Sequence, residues 1–306
     1  MSESNMGAGS GEQPLVSVII ASYNHGPYIE ASIASVLAQT YGNIELLVVD
    51  DGSSDDSVER IQRLQQLHGF DFIVQKNQGL SRTLNDSIAR VRGDLIVSFG
   101  SDDVMLPQRL ALQVAYLQGK PEVGICAGNI EEIDAAGNSR GAPRELQLRR
   151  LDFDDVFLNR KAGAPAPTLM FRREALAKVG GFDPQIRLED LLIQLKITRA
   201  GYFVDILGEV LAQYRVHGSN TYKNYRFMVD NVLRTYAQFS DHPAYGQVCN
   251  SFRNSMLLKC ARQDKALAWG LLRQIPWRFW NGKTLRGFLR LLLSGWPRAG
   301  VIKWGS

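Results

Sequence analysis

The chain of 306 residues is predicted to be an α/β protein: a Rossmann-like, mostly parallel, doubly wound sheet with a C-terminal helical extension. Three observations lead there. Short β-branched runs alternate with helical patterns from residue 14 to residue 99, Asp-, Ser- and Gly-rich turns follow those runs, and the pattern from Tyr222 onward is helical. An apolar content of 45% with 22% charged residues excludes a disordered, collagenous or coiled-coil chain.

Leu15–Ile20 reads as a buried strand running into the loop Ala21-Ser22-Tyr23-Asn24-His25-Gly26. Ile29, Ile33, Val36 and Leu37 then recur at helical spacing, and Thr40-Tyr41-Gly42-Asn43 stops that helix before a second strand, Ile44–Val49. Asp50–Asp56 turns the chain and supplies Ser or Asp to cap a helix whose buried stripe is Val58, Ile61, Leu64 and Gln65. Phe70–Val74 is the third strand, Ser81–Val91 a helix and Asp94–Phe99 the fourth strand, which delivers Gly100-Ser101-Asp102-Asp103. Beyond it, Val123–Ile133 reads as a strand, Gly137 as a hairpin turn, and 143–163 as a polar, irregular connection. Pro165 and Pro167 open a strand at Thr168–Phe171, and the helix Arg173–Val179 ends at Gly180-Gly181. Glu189-Asp190 heads a helix that Gly201 terminates, before two short strands, Phe203–Ile206 and Val210–Tyr214. The expected organisation is a flexible 1–13, a first half of the α/β domain at 14–120, a second half at 121–221 and a helical extension at 222–306.

Charge is unevenly distributed. The chain has 35 basic and 31 acidic residues, and seven of the cations (Arg273, Arg278, Lys283, Arg286, Arg290, Arg298, Lys303) lie in 271–306, which has no acid. The other 270 residues carry 28 basic against 31 acidic groups, a net −3. All five tryptophans are also late, at 269, 277, 280, 296 and 304, and Trp mixed with Arg and Lys suits the headgroup region of a membrane. Leu285, Phe288, Leu289 and Leu292 follow helical spacing with Arg286 and Arg290 off the stripe, the pattern of a helix lying in an interface. A solvated basic face on a terminal helical pair is the plainer alternative, and no nucleic-acid motif accompanies the patch. No apolar run reaches the roughly 18 residues of a spanning helix, the first 13 residues do not read as a signal peptide, and three scattered cysteines suit a reducing cytoplasm.

Asp50-Asp51 and Asp102-Asp103 end two predicted parallel strands, so their carboxylates converge on one crevice and call for a hard divalent cation shared with a substrate phosphate. Turn and cap chemistry accounts for either cluster alone.

Eight blocks stand in the order found in family 2 glycosyltransferases: Val18–Asn24, Val48–Asp55, Asn77–Ser81, Gly93–Ile96, Ser101-Asp102-Asp103, Gly180–Asp183, Glu189-Asp190 and Tyr214-Arg215-Val216-His217. The chain resembles that family over residues 14–220. The resemblance implies a GT-A fold and an inverting, rhamnosyltransferase-like enzyme of bacterial type that uses a nucleotide-diphosphate sugar and Mg2+ or Mn2+. It implies that Tyr23 and Asp51 hold the base, with the Ala21-Ser22 backbone lining its pocket; an aromatic face stacks on a pyrimidine and a carboxylate accepts from its ring N–H. Asp102 and Asp103 match ribose and metal positions, with Asp103 expected to ligate, and His217 matches a metal-side histidine. Lys76 and Arg82 are candidate diphosphate partners, and Asp190 is the candidate general base. Three positions depart from the family pattern: Gly100 stands where many relatives have an acid, Leu84 where an arginine is common, and Leu191-Leu192 where an aromatic residue often follows Glu-Asp.

The expected reaction moves a sugar, dTDP-L-rhamnose favoured as donor and a UDP-hexose next, to a lipid-anchored glycan such as lipopolysaccharide core or a polyprenyl-linked oligosaccharide. The expected location is the inner face of the cytoplasmic membrane, with 271–306 as the contact. The alternatives are a nucleotidyltransferase, which would want a Gly-rich basic loop where Ser22-Tyr23-Asn24-His25 stands, and a non-catalytic, membrane-docked nucleotide-sugar binder.

Overall fold

The computed structural model describes residues 13–142, 146–218, 220 and 223–293. Most of the leader 1–13, Trp296, Trp304, Arg298 and Lys303 lie outside the described residues. The chain divides after Gly218 into two compact units.

In chain order the first unit contains β1 (Val16–Ser22), α1 (Gly26–Leu37), β2 (Ile44–Asp50), α2 (Ser57–His68), β3 (Asp71–Val74), α3 (Leu80–Arg90), β4 (Leu95–Gly100), β5 (Val104–Met105), α4 (Arg109–Leu117) and β6 (Val123–Ile133). It continues through β7 (Arg149–Leu151), α5 (Phe153–Phe157), β8 (Met170–Arg172), α6 (Arg173–Lys178), α7 (Glu189–Arg199) and β9 (Phe203–Arg215). Among the described residues these strands form one sheet of order β3-β2-β1-β4-β8-β6-β9-β5, with β7 paired to β9. β1 to β4, β6 and β9 run in one direction; β5, β7 and β8 oppose them. The fold is therefore the mostly parallel α/β sheet expected, with a mixed second half.

Both faces of β1, β2 and β4 are mostly buried, which is why they read as apolar runs, whereas the edge strand β3 is exposed or half-buried throughout. Val18, Ile20, Val48 and Val97 pack with Ile29, Ile33 and Val36 of α1 and with Leu110 and Val114 of α4. The alternate residues Ile19, Leu47 and Ile96 are equally buried. Register fixes the working edge: Ser22 lies opposite Asp50, Ala21 opposite Gly100 and Asp50 opposite Val74, so β1 to β4 end together. β9 runs the same way and ends at Arg215, and β5 pairs with it antiparallel, bringing 101–103 beside 215–217.

The structure revises several expectations. The strands Phe203–Ile206 and Val210–Tyr214 are one strand, β9. Asn129 Nδ2 donates to the Leu207 and Gly208 carbonyls, 3.0 and 2.7 Å away, and carries the chain across that irregular stretch. The irregular 143–163 contains β7 and α5; Asp152 caps α5 by accepting from the Asp155 amide at 2.7 Å. Thr168 closes a 3₁₀ turn at Ala166–Thr168, and the strand that follows is Met170–Arg172. In α1, Leu37 is exposed, and of the four apolar-stripe positions of α2 only Ile61 is fully buried.

The second unit is helical: α8 (Tyr225–Ala237), α9 (Tyr245–Cys260), α10 (Lys265–Gln274), a 3₁₀ turn at Trp277–Phe279, and α11 (Gly282–Leu293). Its core joins Met256, Leu257 and Cys260 to Ala268, Leu271 and Leu291. Trp269 packs edge-on to Phe288 in that cluster, so these two aromatics serve packing, whereas Trp277 is 86% exposed. The buried face of α11 is Thr284, Gly287 and Leu291, while Leu285, Leu289 and Leu292 remain exposed beside Lys283, Arg286 and Arg290. No helix among the described residues is long and apolar enough to cross a membrane.

Candidate active site

The loops at the carboxyl ends of β1 and β2 are stitched together. Asn24, in the left-handed region at φ 53°, accepts from the Ser54 amide through Oδ1 at 2.8 Å, and its own amide donates to Ser53 Oγ at 2.9 Å. Asn tolerates this conformation better than most residues. Tyr23, which precedes it, is 50% exposed and leaves a ring face open at the sheet edge. The Ser22 side chain is fully buried, and its carbonyl accepts from the Asp51 amide at 2.8 Å.

The four carboxylates at this edge do not share one cation. Asp50 is fully buried and accepts from the Ser53 amide and hydroxyl at 2.8 and 2.6 Å. Asp51 Oδ1 accepts from Gln75 Nε2 and the Gln78 amide, and Oδ2 from the Gly79 amide, each at 2.9 Å. It thereby fixes the β3–α3 loop and keeps acceptor capacity on Oδ2. Asp103 is turned inward, and its Oδ1 accepts from the Arg215 amide at 2.9 Å. Burial, with the charge of Asp102 adding, pushes it up to about 8. Asp102 alone reaches outward: its Oδ2 lies 2.9 Å from His217 Nε2. The expected ligand Asp103 is thus the inward member of the pair, and Asp102 is the one beside His217.

Sequence reasoning missed the third member of this group. Donor atoms of His25, Asp102 and His217 all lie within 4.8 Å of one another. His25 Nδ1 is 2.7 Å from Ser101 Oγ, and its ring meets that of His217 edge-on at a centroid distance of 5.8 Å. Burial holds the His25 imidazole below its usual value, against the opposing pull of Asp102. The available signal was position: residue 25 belongs to the loop leaving β1, at the edge where ligands bind in open α/β sheets. A cation about 2.1 Å from each donor spaces the donors about 3–4 Å apart, so two imidazoles and one carboxylate of this spread fit a divalent ion.

Glu189 and Asp190 open α7 as a partly buried pair. Burial, and then the charge of Asp190, raise Glu189 to about 8; burial raises Asp190 as well, against the amides of the first helical turn. The segment before α7 is tied to α3. Asn85 donates to the Phe182 carbonyl at 2.8 Å and accepts from the Phe182 amide at 2.9 Å, and Ser81 Oγ donates to the Ile186 carbonyl at 3.2 Å. Gly181 makes this possible: its φ is +68°, and a Cβ there would sit 2.6 Å from Asn85 Oδ1. One helix therefore links Asp51 at its N-terminus to the loop bearing Asp190. Lys76 and Arg82 are exposed on the same loop and helix, and no ion pair of either is seen among the described residues. Leu84, in place of the family's common arginine, is a core residue at 1% exposure.

Comparison with known proteins agrees with this architecture. The Glycosyl transferase family 2 profile matches residues 17–180. An uncharacterized glycosyltransferase of Nostoc sp. is 31% identical over 307 residues, covering 92% of this chain and 89% of the relative. An O-antigen biosynthesis glycosyltransferase of Escherichia coli is 30% identical, covering 69% and 83% respectively. Among solved structures, S. aureus TarS in complex with UDP-GlcNAc superposes with a TM-score of 0.65 at 16% identity, over 87% of this chain and 82% of that one. A mannosyltransferase from Pyrobaculum calidifontis in complex with GDP-Man and Mn2+ gives 0.60 at 17% identity, over 92% and 88%. The chain belongs to glycosyl transferase family 2 and is a glycosyltransferase with the GT-A fold.

Proposed function

We propose that this enzyme moves a sugar from a nucleotide-diphosphate sugar to a hydroxyl of a lipid-anchored glycan, with inversion at the anomeric carbon. The observation that carries the reading is the gathering, at one sheet edge, of an open Tyr23 ring, the Asp102–His217 pair and the N-terminus of α3, which holds the segment leading into α7 and Asp190. Tyr23 stacks on the base, the Ala21-Ser22 backbone lines its pocket, and Asp51 shapes that pocket through the 75–79 loop while Oδ2 accepts from the base. Lys76 and Arg82 face the diphosphate. Asp102 and His217 hold the divalent cation, Mg2+ or Mn2+, which when bound supplies positive charge against the departing diphosphate. Asp103 acts through Arg215, steadying the strand end that carries His217.

Asp190 takes the proton from the acceptor hydroxyl, whose oxygen attacks opposite the phosphate. Burial raises its affinity for a proton, the direction a general base needs. dTDP-L-rhamnose and then UDP-hexoses are the donors of choice, supported by the suitability of an aromatic platform for a pyrimidine; TarS was solved with UDP-GlcNAc. The exposed leucines and cations of α11 support peripheral attachment at the inner face of the cytoplasmic membrane, near a lipopolysaccharide-core or polyprenyl-linked acceptor. The test is Asp190→Asn against a panel of donors and acceptors. Turnover is expected to fall by about 10²–10⁴ with nucleotide-sugar binding, read by thermal shift, retained. Near-normal turnover overturns the assignment of the base, and no thermal response to any nucleotide sugar overturns the donor class.

A further inference from the structure

We infer that His25 is a direct ligand of the divalent cation, making the site a two-histidine, one-carboxylate set that prefers Mn2+ to Mg2+. The inference rests on the reading of Asp102 and His217 as a metal site and goes beyond it.

The geometry argues for a ligand rather than a packing residue. The His25 donor atom lies within 4.8 Å of those of Asp102 and His217, although the three residues come from widely separated parts of the chain. Ser101 Oγ, 2.7 Å from Nδ1, fixes the ring and leaves Nε2 as the donor, the outer-sphere arrangement that orients metal-binding imidazoles. The Asn24–Ser53–Ser54 bonds pin the residue before His25, and the His25 amide itself donates to Ser57 Oγ at 3.2 Å. With its backbone pinned and its ring tied at Nδ1, His25 carries little ordering cost on ligation.

Strand β4 offers no competing donor. Its last residue is Gly100, where an added Cβ would come within 2.7 Å of Asp103 Oδ2 and 3.0 Å of Asp102 Oδ1. An acid there would crowd the two carboxylates already present. The third donor instead comes from the loop after β1 as a neutral imidazole, which lowers the negative charge of the set. Mg2+ prefers oxygen and holds its water, so two imidazole nitrogens are a poorer set for it than for Mn2+ and the transition ions above it in affinity. The chemistry thus selects Mn2+ and its neighbours.

The test is pulsed electron paramagnetic resonance of Mn2+ added with UDP to the full-length protein, counting nitrogens coupled to the ion. The wild type is expected to show two imidazole nitrogens. His25→Gln and His25→Ala are each expected to leave one, to weaken Mn2+ binding about tenfold or more, and to leave Mg2+ binding within about threefold. His217→Ala removes the other nitrogen. A wild-type spectrum with one coupled nitrogen, unchanged in both His25 variants, overturns the inference while leaving the metal site standing. A wild-type Mn2+ signal with no coupled nitrogen, that of the free or UDP-bound ion, overturns the metal reading itself.

Discussion

Replacing Glu189 with Gln is expected to make the protein more stable at alkaline pH, a gain that should disappear in mild acid. Burial and the neighbouring Asp190 hold Glu189 at about 8, against an ordinary value of 4.5. The folded state therefore binds more protons than the unfolded chain between those values, and stability falls as pH rises through that window. Each unit is worth about 1.4 kcal/mol, so the full shift amounts to about 5 kcal/mol. The pair is only partly buried and shares its repulsion, and about half of that, 2–3 kcal/mol, is the expected difference between the variant and the wild type at pH 9. Near pH 5, where Glu189 is protonated and Gln is its isostere, the two proteins should coincide. In a unit of this size the gain corresponds to roughly 4–12 °C in Tm. The assay is far-UV circular dichroism melting at pH 5, 7 and 9. All five tryptophans lie beyond residue 218, so indole fluorescence follows the helical unit and serves as an internal control that should not respond. Asp103, also raised to about 8, contributes the same slope to both proteins and cancels in the comparison. An unchanged pH slope in the variant, or a variant less stable than wild type at pH 9, would refute the argument.

Two further outcomes are open to measurement. Asp205 is fully buried and pairs at 2.8 Å with Arg150, whose side chain is 42% exposed. Arg150→Ala leaves the buried carboxylate the Tyr116 hydroxyl, 2.7 Å away, but removes its counter-charge, and should cost about 3 kcal/mol in denaturant titration; Asp205→Asn leaves a cation that water and Glu122 can reach and should cost less, about 1–2 kcal/mol, so the reverse order contradicts the reasoning. On α11, Leu285, Leu289 and Leu292 are 44–56% exposed, worth about 1 kcal/mol each if covered by lipid. Changing all three to Ser should weaken binding to anionic vesicles about 100-fold, and undiminished co-sedimentation rules out this face as the membrane contact.

The parallel half of the fold was legible because β1, β2 and β4 are mostly buried on both faces and end in turns of recognisable chemistry. The second half was not. β5, β7 and β8 have two or three residues each, too few to show a period, and their partners hold them in place. The break expected between Ile206 and Val210 is instead interior to β9, where Asn129 binds the Leu207 and Gly208 carbonyls. At the site, Tyr23, Asp102 and His217 could be named from motif order. Which of two adjacent aspartates faces outward could not, since it depends on the Arg215 amide, 112 positions along the chain, capturing Asp103. His25 carried no pattern at all; its significance comes from three strand ends meeting in space.

The ties between α3 and the segment before α7 end on main-chain atoms of that segment, at Phe182 and Ile186, and the Lys196 ammonium likewise donates to the Gly181 carbonyl at 2.8 Å. Backbone atoms are common to every residue type. The exposed side chains of Pro184 and Gln185 can therefore be rewritten without loosening that anchor, whereas Ile186, a core residue, cannot. An anchor written in main-chain atoms lets the surface of this stretch drift in sequence while the packing on either side stays put.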